Sequence, residues 1–145
     1  MDELIQSMKV TLANTFAFYL KAHYYHWNVE GVDFHQYHTL LGQIYEEVYD
    51  SVDPMAEFIR TLNAYAPGSF PRFAELSEIR GDDSVPAAPQ MFANLLLDTE
   101  TILASIARSR QLADANGEVG LSNFLQDRDS AHKKHRWMMR SLLKQ

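Results

Sequence analysis

The chain has 145 residues, 46% of them hydrophobic, which suits one domain over residues 1–145 with a core that needs no disulfide or structural metal as a staple. Its formal net charge of -6 argues against freestanding affinity for nucleic acid, which rests on clustered Lys and Arg, and favours cations as guests. With no cysteine, disulfides, thiolate zinc sites and cysteine nucleophiles are excluded, which fits a reducing, cytoplasmic setting.

The amino terminus, "MDELIQSMKV", carries acidic residues where a secretory signal would carry positive charge, and no uninterrupted apolar run reaches the ~20 residues of a membrane helix. A soluble chain with no membrane partner is expected. Apolar residues then recur at helical spacing: Leu4, Met8, Leu12 and Phe16 form one stripe, with Ala13, Ala17 and Leu20 beside it. The first predicted helix runs from Asp2 to about Val29. "EGVD" breaks it, with Gly31 beyond the helix end and Asp33 as N-cap of the next.

The second predicted helix spans about Phe34 to Tyr65, with Leu41, Ile44, Val48, Val52, Met55 and Ile59 facing the core. Pro54 lies inside it, so this helix either bends near Ser51 or is two helices. "APGSFPRFAELSEIRGDDSVPAAP" holds four of the five prolines and reads as a long connection carrying one short helix near "FAELSEI". "MFANLLLDTETILASIARSRQLAD" is the third long helix, ended by "ANGEVG". "LSNFLQDRDSAHKKHRWMMRSLL" is the fourth, with Ser122 as its cap. No repeat or strand-like alternation is present, so the expected fold is all-α: a four-helix bundle with a short extra helix in the long crossover between the second and third helices.

Four of the six histidines fall within "KAHYYHWNVEGVDFHQYH". His23 and His26 lie one turn apart near the end of the first helix, and His35 and His38 one turn apart at the start of the second, across the "EGVD" turn. Further along, Asp53 and Glu57 are four apart and share a face, where they could hold a cation or simply meet solvent. His38 and Asp53 are fifteen residues apart, about 22 Å along a helix, too far to share one ion within a chain. If both sets serve one site, the histidines come from one subunit and the carboxylates from another, across a two-fold contact. A mixed His and carboxylate set suits Fe(II), Mn(II) or Zn(II). No Glu-x-x-His pair of the kind that builds a di-iron site inside one bundle occurs. The nearest match, Asp129 and His132 with His135 one turn later, is crowded by Lys133, Lys134 and Arg136 and reads as a solvated face.

"HWNVEGVDFHQYH" followed by "YEEVYDSVDPMAE" resembles the signature of the Dps (DNA protection during starvation) miniferritins, a branch of the ferritin-like superfamily, and looser similarity reaches "RWMMRSLL". The resemblance implies a ferritin-like bundle, two-fold dimers assembled into a homo-oligomeric dodecameric cage, and a ferroxidase centre at the two-fold interface. Iron(II) would be oxidised there by peroxide or dioxygen and stored as ferric mineral, protecting against oxidative stress. Carried over by motif, His26 and His38 come from one subunit and Asp53 and Glu57 from its neighbour. Trp27 matches a tryptophan thought to intercept stray oxidising equivalents, although it could equally cap the hairpin core. Where the family usually has an acid that binds a second iron, this chain has Gly42; Glu46 could substitute, and His23 matches a position often histidine. An impaired, metal-binding or structural assembly is therefore the alternative. Glu118 and Asp127 match the region lining acidic pores at three-fold axes. No Lys-rich tail is present at the amino terminus, so direct DNA binding is not expected.

Overall fold

The structure, a computed structural model described over residues 1–144, is all-helical among those residues. Six helices follow in order: α1 (Asp2–Asn28), α2 (Phe34–Asp50), α3 (Val52–Thr61), α4 (Phe70–Leu76), α5 (Ala88–Ala115) and α6 (Val119–Leu143). The arms of the bundle are α1, the α2–α3 pair, α5 and α6. α1 packs on α2 and α5, α5 packs on α6, and α4 lies against α1 within the crossover. Among the described residues no helix is long and apolar enough to cross a membrane.

The α2–α3 break falls at Ser51, whose N–H bonds the Val48 carbonyl at 3.1 Å and whose hydroxyl donates to the same oxygen at 2.6 Å. Pro54 therefore sits in the first turn of α3, where its missing N–H leaves no intrahelical bond unmade. Of the two arrangements the proline allows, the chain takes two helices. α3 ends before Asn63, which adopts a left-handed φ of 64°, so the second arm stops short of Tyr65.

Every predicted apolar position on this arm is buried except Val52, which is half-buried. Fully burying each such side chain contributes about 1.5–3 kcal/mol. On α1 the stripe departs from expectation after Leu12. Steps of four residues overshoot the helical repeat of 3.6 by about 40° each, so Phe16 lies about 120° round from Leu4. Phe18, Ala22 and Tyr25 continue the core instead. Phe16 turns onto the crossover, stacking on Phe73 of α4 at 4.9 Å, and Leu20 is exposed.

At the helix ends, Gly31 takes a φ of 122°, which no other residue type adopts without strain. Asp33 stands at the N-cap of α2, but its side chain makes no capping bond. The cap of α6 is Glu118 rather than Ser122, which is buried a turn inside the helix. α4 begins at Phe70, earlier than "FAELSEI", because Ser69 accepts a capping bond from the Arg72 N–H at 3.3 Å and Pro71 follows at a first-turn position. Three α1 side chains fasten the crossover: Tyr24 and Tyr25 donate to the Ser84 carbonyl and the Asp82 carboxylate, both at 2.6 Å, and Lys21 donates to the Arg80 carbonyl at 3.1 Å.

Candidate metal centre

The "EGVD" turn brings the last turn of α1 onto the first turn of α2, and with it His26 onto His38. Their rings stack at 3.7 Å and 17°. Nδ1 of each donates to the backbone carbonyl of the other, both at 2.8 Å. Because a carbonyl can only accept, each Nδ1 carries a hydrogen, so that in the neutral ring Nε2 keeps the lone pair, the form in which imidazole binds a metal. Both side chains are half-buried, while His35, on the adjacent face of α2, is exposed.

Gly42 lies against the His26 ring of this pair. A Cβ built there would stand 3.4 Å from His26 Nδ1 and 3.2 Å from Cε1, the latter tighter than most packed contacts, so the ring would have to shift slightly. The glycine is thus the position at which the His26 ring approaches the α2 backbone, and it supplies no ligand. Glu46, one turn on, is exposed and close enough to oppose the lowering of the His23 pKa, which comes first from burial and then from His26. His23 stacks on Tyr45 at 3.7 Å and 8°, contacts Trp27 at 4.1 Å, and shares a 3.0 Å hydrogen bond between Nδ1 and the Tyr19 hydroxyl. Trp27 itself is 59% exposed, so in one subunit it does not cap the hairpin core.

Asp53 and Glu57 project from the exposed face of α3, beyond the Ser51 break. Among the described residues, no three His, Asp or Glu side chains of one subunit are grouped to hold a metal ion. Of the predicted site residues, one subunit brings together His23, His26, Trp27 and His38, and leaves the two carboxylates apart from them. Glu118 is half-buried at the start of α6, and Asp127 is exposed on that helix.

The reading of "DSAHKKH" as a solvated face is wrong. His132 is fully buried and His135 is 7% exposed; their neighbours Lys133 and Lys134 are exposed, and Arg136 is half-buried against Glu100. Glu47 of α2 accepts two bonds from Arg128, at 2.5 and 3.0 Å, and one from His135 Nε2 at 2.9 Å. Burial alone would raise the Glu47 pKa, but the bonds from His135 and Arg128 outweigh it and hold the carboxyl down to about 2. Burial, then Arg128 and His135, push the His132 pKa well below its ordinary value. A signal for this cluster was present in the sequence. Leu121, Leu125, Arg128, His132, His135 and Met139 recur every three or four residues, so the polar members occupy a core stripe.

Four helical arms with a crossover between the second and third, and histidines placed apart from a carboxylate pair, define a ferritin-like protein. The ferritin-like domain family matches residues 5–145. An uncharacterized low temperature-induced protein of Nostoc sp. is 32% identical over 147 residues, covering 97% of this chain and 79% of its own. The solved structure of Dps from Thermosynechococcus elongatus superposes with a TM-score of 0.96 at 22% identity, covering 99% of this chain and 92% of the other. Dps from Vibrio cholerae O1, described as a member of a broad superfamily of ferritin-like diiron-carboxylate proteins, gives 0.94 at 26% identity, covering 99% and 90%. The chain belongs to the Dps miniferritin family of ferritin-like proteins.

Proposed function

We propose that this protein binds iron(II), oxidises it with peroxide or dioxygen at sites shared between two subunits, and stores the ferric product inside a homo-oligomeric cage, a dodecamer by family. The observation that carries this reading is the reciprocal bonding of His26 and His38, which leaves two Nε2 lone pairs at a ligand set one subunit does not complete. Asp53 and Glu57 of a second subunit would complete it, and their negative charge would favour the ferric product. In the peroxide reaction two iron(II) ions would each give one electron, the O–O bond would take both and break to two hydroxides, and two protons from solvent would convert these to water beside two ferric ions.

A two-fold contact has a suitable surface beside the histidines. Leu20, Trp27 and Phe70 are 41%, 59% and 75% exposed and line a groove of about 950 Å³ between α1 and the crossover. Lys21, Glu75, Arg80 and Asp83 share the groove with them, so a second subunit would meet exposed apolar side chains among charged ones. Glu118 and Asp127 would line acidic pores that concentrate iron(II), and the net charge of -6 speaks against direct DNA binding. We place the protein in the cytoplasm, guarding against oxidative stress.

The bare backbone at Gly42 favours a second reading, in which the assembly binds metal but oxidises it weakly, because nothing at that position reaches a second ion. Anaerobic Fe(II) titration followed by stopped-flow mixing with peroxide or dioxygen, with particle size read in parallel, decides between them. Fast oxidation in a particle of many subunits supports the first reading. Binding without oxidation supports the second, and a monomer that binds Fe(II) tightly at these residues would sink both.

A further inference from the structure

The four arms do not close on one another equally. α1 packs on α2 and α5, and α5 packs on α6, whereas among the described residues α2 and α6 do not pack closely. Between them runs a groove of about 540 Å³, lined by His35, Thr39 and Gln43 of α2 and by Trp137, Met138 and Ser141 of α6. One turn beyond Gln43 and one turn before Met138, Glu47 and His135 close this seam with a 2.9 Å bond, and Arg128 reaches the same carboxylate with two. Past that point Phe58 of α3 meets Phe124 of α6, with ring centres 5.1 Å apart.

His132 stands behind this closure, one turn from both Arg128 and His135. Its Nε2 lies 3.4 Å from Nη2 of Arg128. A guanidinium can only donate, so Nε2 is the acceptor and the ring hydrogen is on Nδ1, which is buried without a partner. A neutral ring is therefore built into the packing, since a proton added at Nε2 would set N–H against N–H. The charged neighbours of the ring are Arg128 and His135 of its own helix and Glu47 of α2. α1 faces it with the Phe18 ring, edge-on at 5.2 Å, and Glu100 of α5 is engaged by Arg136 and Arg140 instead.

We propose that Glu47, Arg128, His132 and His135 form an acid-operated latch on the α2–α6 seam. A solvent proton taken up at His132 Nε2 drives Arg128 off, Glu47 loses its two-bond partner, and the C-terminal half of α6 parts from α2 with the helices intact. In the closed seam burial, Arg128 and His135 keep the ring from taking that proton; in the open seam water reaches it and its ordinary pKa of 6.5 returns. The open state thus binds one more proton, and the ratio of open to closed rises by up to about tenfold for each pH unit below 6.5. Glu47, held down to about 2, stays an anion through this range and reforms the latch when the pH returns. His26 and His38 belong to the α1–α2 hairpin and bond each other rather than α6, so the device works whether or not the metal centre oxidises iron.

The chain has no cysteine, so a pair of spin labels can be placed across the groove through Gln36→Cys and Ser141→Cys, both at exposed positions. Labelled chains are diluted into unlabelled ones, and pulsed electron resonance then reads the distance within one subunit. From pH 7 to pH 5 the labelled protein is expected to gain a longer-distance population, reversibly, while helix content by circular dichroism stays constant. His132→Leu, which cannot take the proton, should keep the short distance at both pH values. Glu47→Gln, which keeps the histidines and removes the anion, should show the longer distance already at pH 7, and it decides the matter alone should His132→Leu fail to fold. The latch is overturned by an unchanged distance in the labelled native chain, by lengthening that survives in His132→Leu, by lengthening that comes only with loss of helix, or by a short distance in Glu47→Gln at pH 7.

Discussion

Nδ1 of His26 and Nδ1 of His38 each donate to the other's backbone carbonyl at 2.8 Å, so the two side chains orient one another across the α1–α2 turn. The His26 carbonyl belongs to the last turn of α1, where no intrahelical N–H is available to it. His38 thus satisfies an orphan acceptor at a helix end and, by the same bond, fixes its own tautomer. One exchange of bonds closes the hairpin and presents two Nε2 atoms.

It follows that the histidines serve stability and chemistry together. His38→Ala should cost about 1–3 kcal/mol, since it leaves the part-buried His26 carbonyl unpaired, and His26→Ala about 1 kcal/mol for the bond it removes from the His38 carbonyl, which keeps its partner within α2; both should also reduce Fe(II) oxidation by an order of magnitude or more. Asp53→Ala, on an exposed face, should reduce oxidation with little loss of stability. Denaturant melts set beside stopped-flow rates check this difference; equal destabilisation by His26→Ala and Asp53→Ala would count against the orienting role.

Mixing the two variants probes how the site is shared. A dimer of one His26→Ala chain and one Asp53→Ala chain has one doubly broken site and one intact site. Activity should therefore return when subunits exchange. Mixtures that stay inactive after mass spectrometry has shown exchange would refute the shared centre.

Acid should weaken the fold through the cluster around Glu47. Its carboxyl is held at about 2, below its unfolded value of 4.5, so its contribution is present above the unfolded value and is lost as pH falls through about 2. His132 acts earlier. Its folded pKa lies well below 6.5, so below that pH the unfolded chain binds a proton that the folded chain refuses. Stability should fall between pH 7 and pH 5 with a slope of up to about 1.4 kcal/mol per pH unit. His132→Leu should flatten this decline. Melts at fixed protein concentration, needed because assembly adds to stability, measure the slope, and an unchanged slope in the variant would remove His132 as its cause.

The same cluster shows where sequence and structure part. The helices, the turn at Gly31 and the His26–His38 juxtaposition were legible because they follow from backbone rules and from spacing. His132 and His135 were not, because Lys133, Lys134 and Arg136 give the local composition of a solvated face. Their helical register puts the histidines inward, where Glu47 bonds His135 Nε2 and Arg128 lies 3.4 Å from His132 Nε2, while His132 Nδ1 is buried without a partner. Composition over a short window averages the two faces of a helix; register separates them. Ser122 misled for a related reason, since a good capping residue caps only if the helix starts there, and α6 starts three residues earlier.

Neutralising Glu118 and Asp127 to Gln and Asn should slow iron uptake at low ionic strength and much less at high salt, because a ring of carboxylates attracts Fe(II) through a field that salt screens over about 10 Å at 0.1 M. Uptake followed by ferric absorbance at two salt concentrations reads the effect. The same slowing at both concentrations would point to altered assembly rather than to a pore field.

Gly42 is the position where adding a ligand and keeping the existing ones compete. Sequence alone favours Gly42→Asp, which supplies a carboxylate and replaces a poor helix former. The structure adds a cost: the new Cβ falls 3.2 Å from His26 Cε1, so the ring must give way by a few tenths of an ångström. Gly42→Ala isolates that pressure, because it adds the Cβ with no ligand. Its helix gain of up to about 1 kcal/mol should be largely offset by the contact, and metal affinity at the histidines should fall. Gly42→Asp carries the same pressure and adds a carboxylate, so it should bind more Fe(II) per site than Gly42→Ala and more than wild type. Anaerobic calorimetric titration of the three proteins gives stoichiometry and affinity separately. Equal stoichiometry in wild type and Gly42→Asp would mean that another carboxylate already serves the second ion, and Glu46, one turn along the same helix, is the residue to replace next.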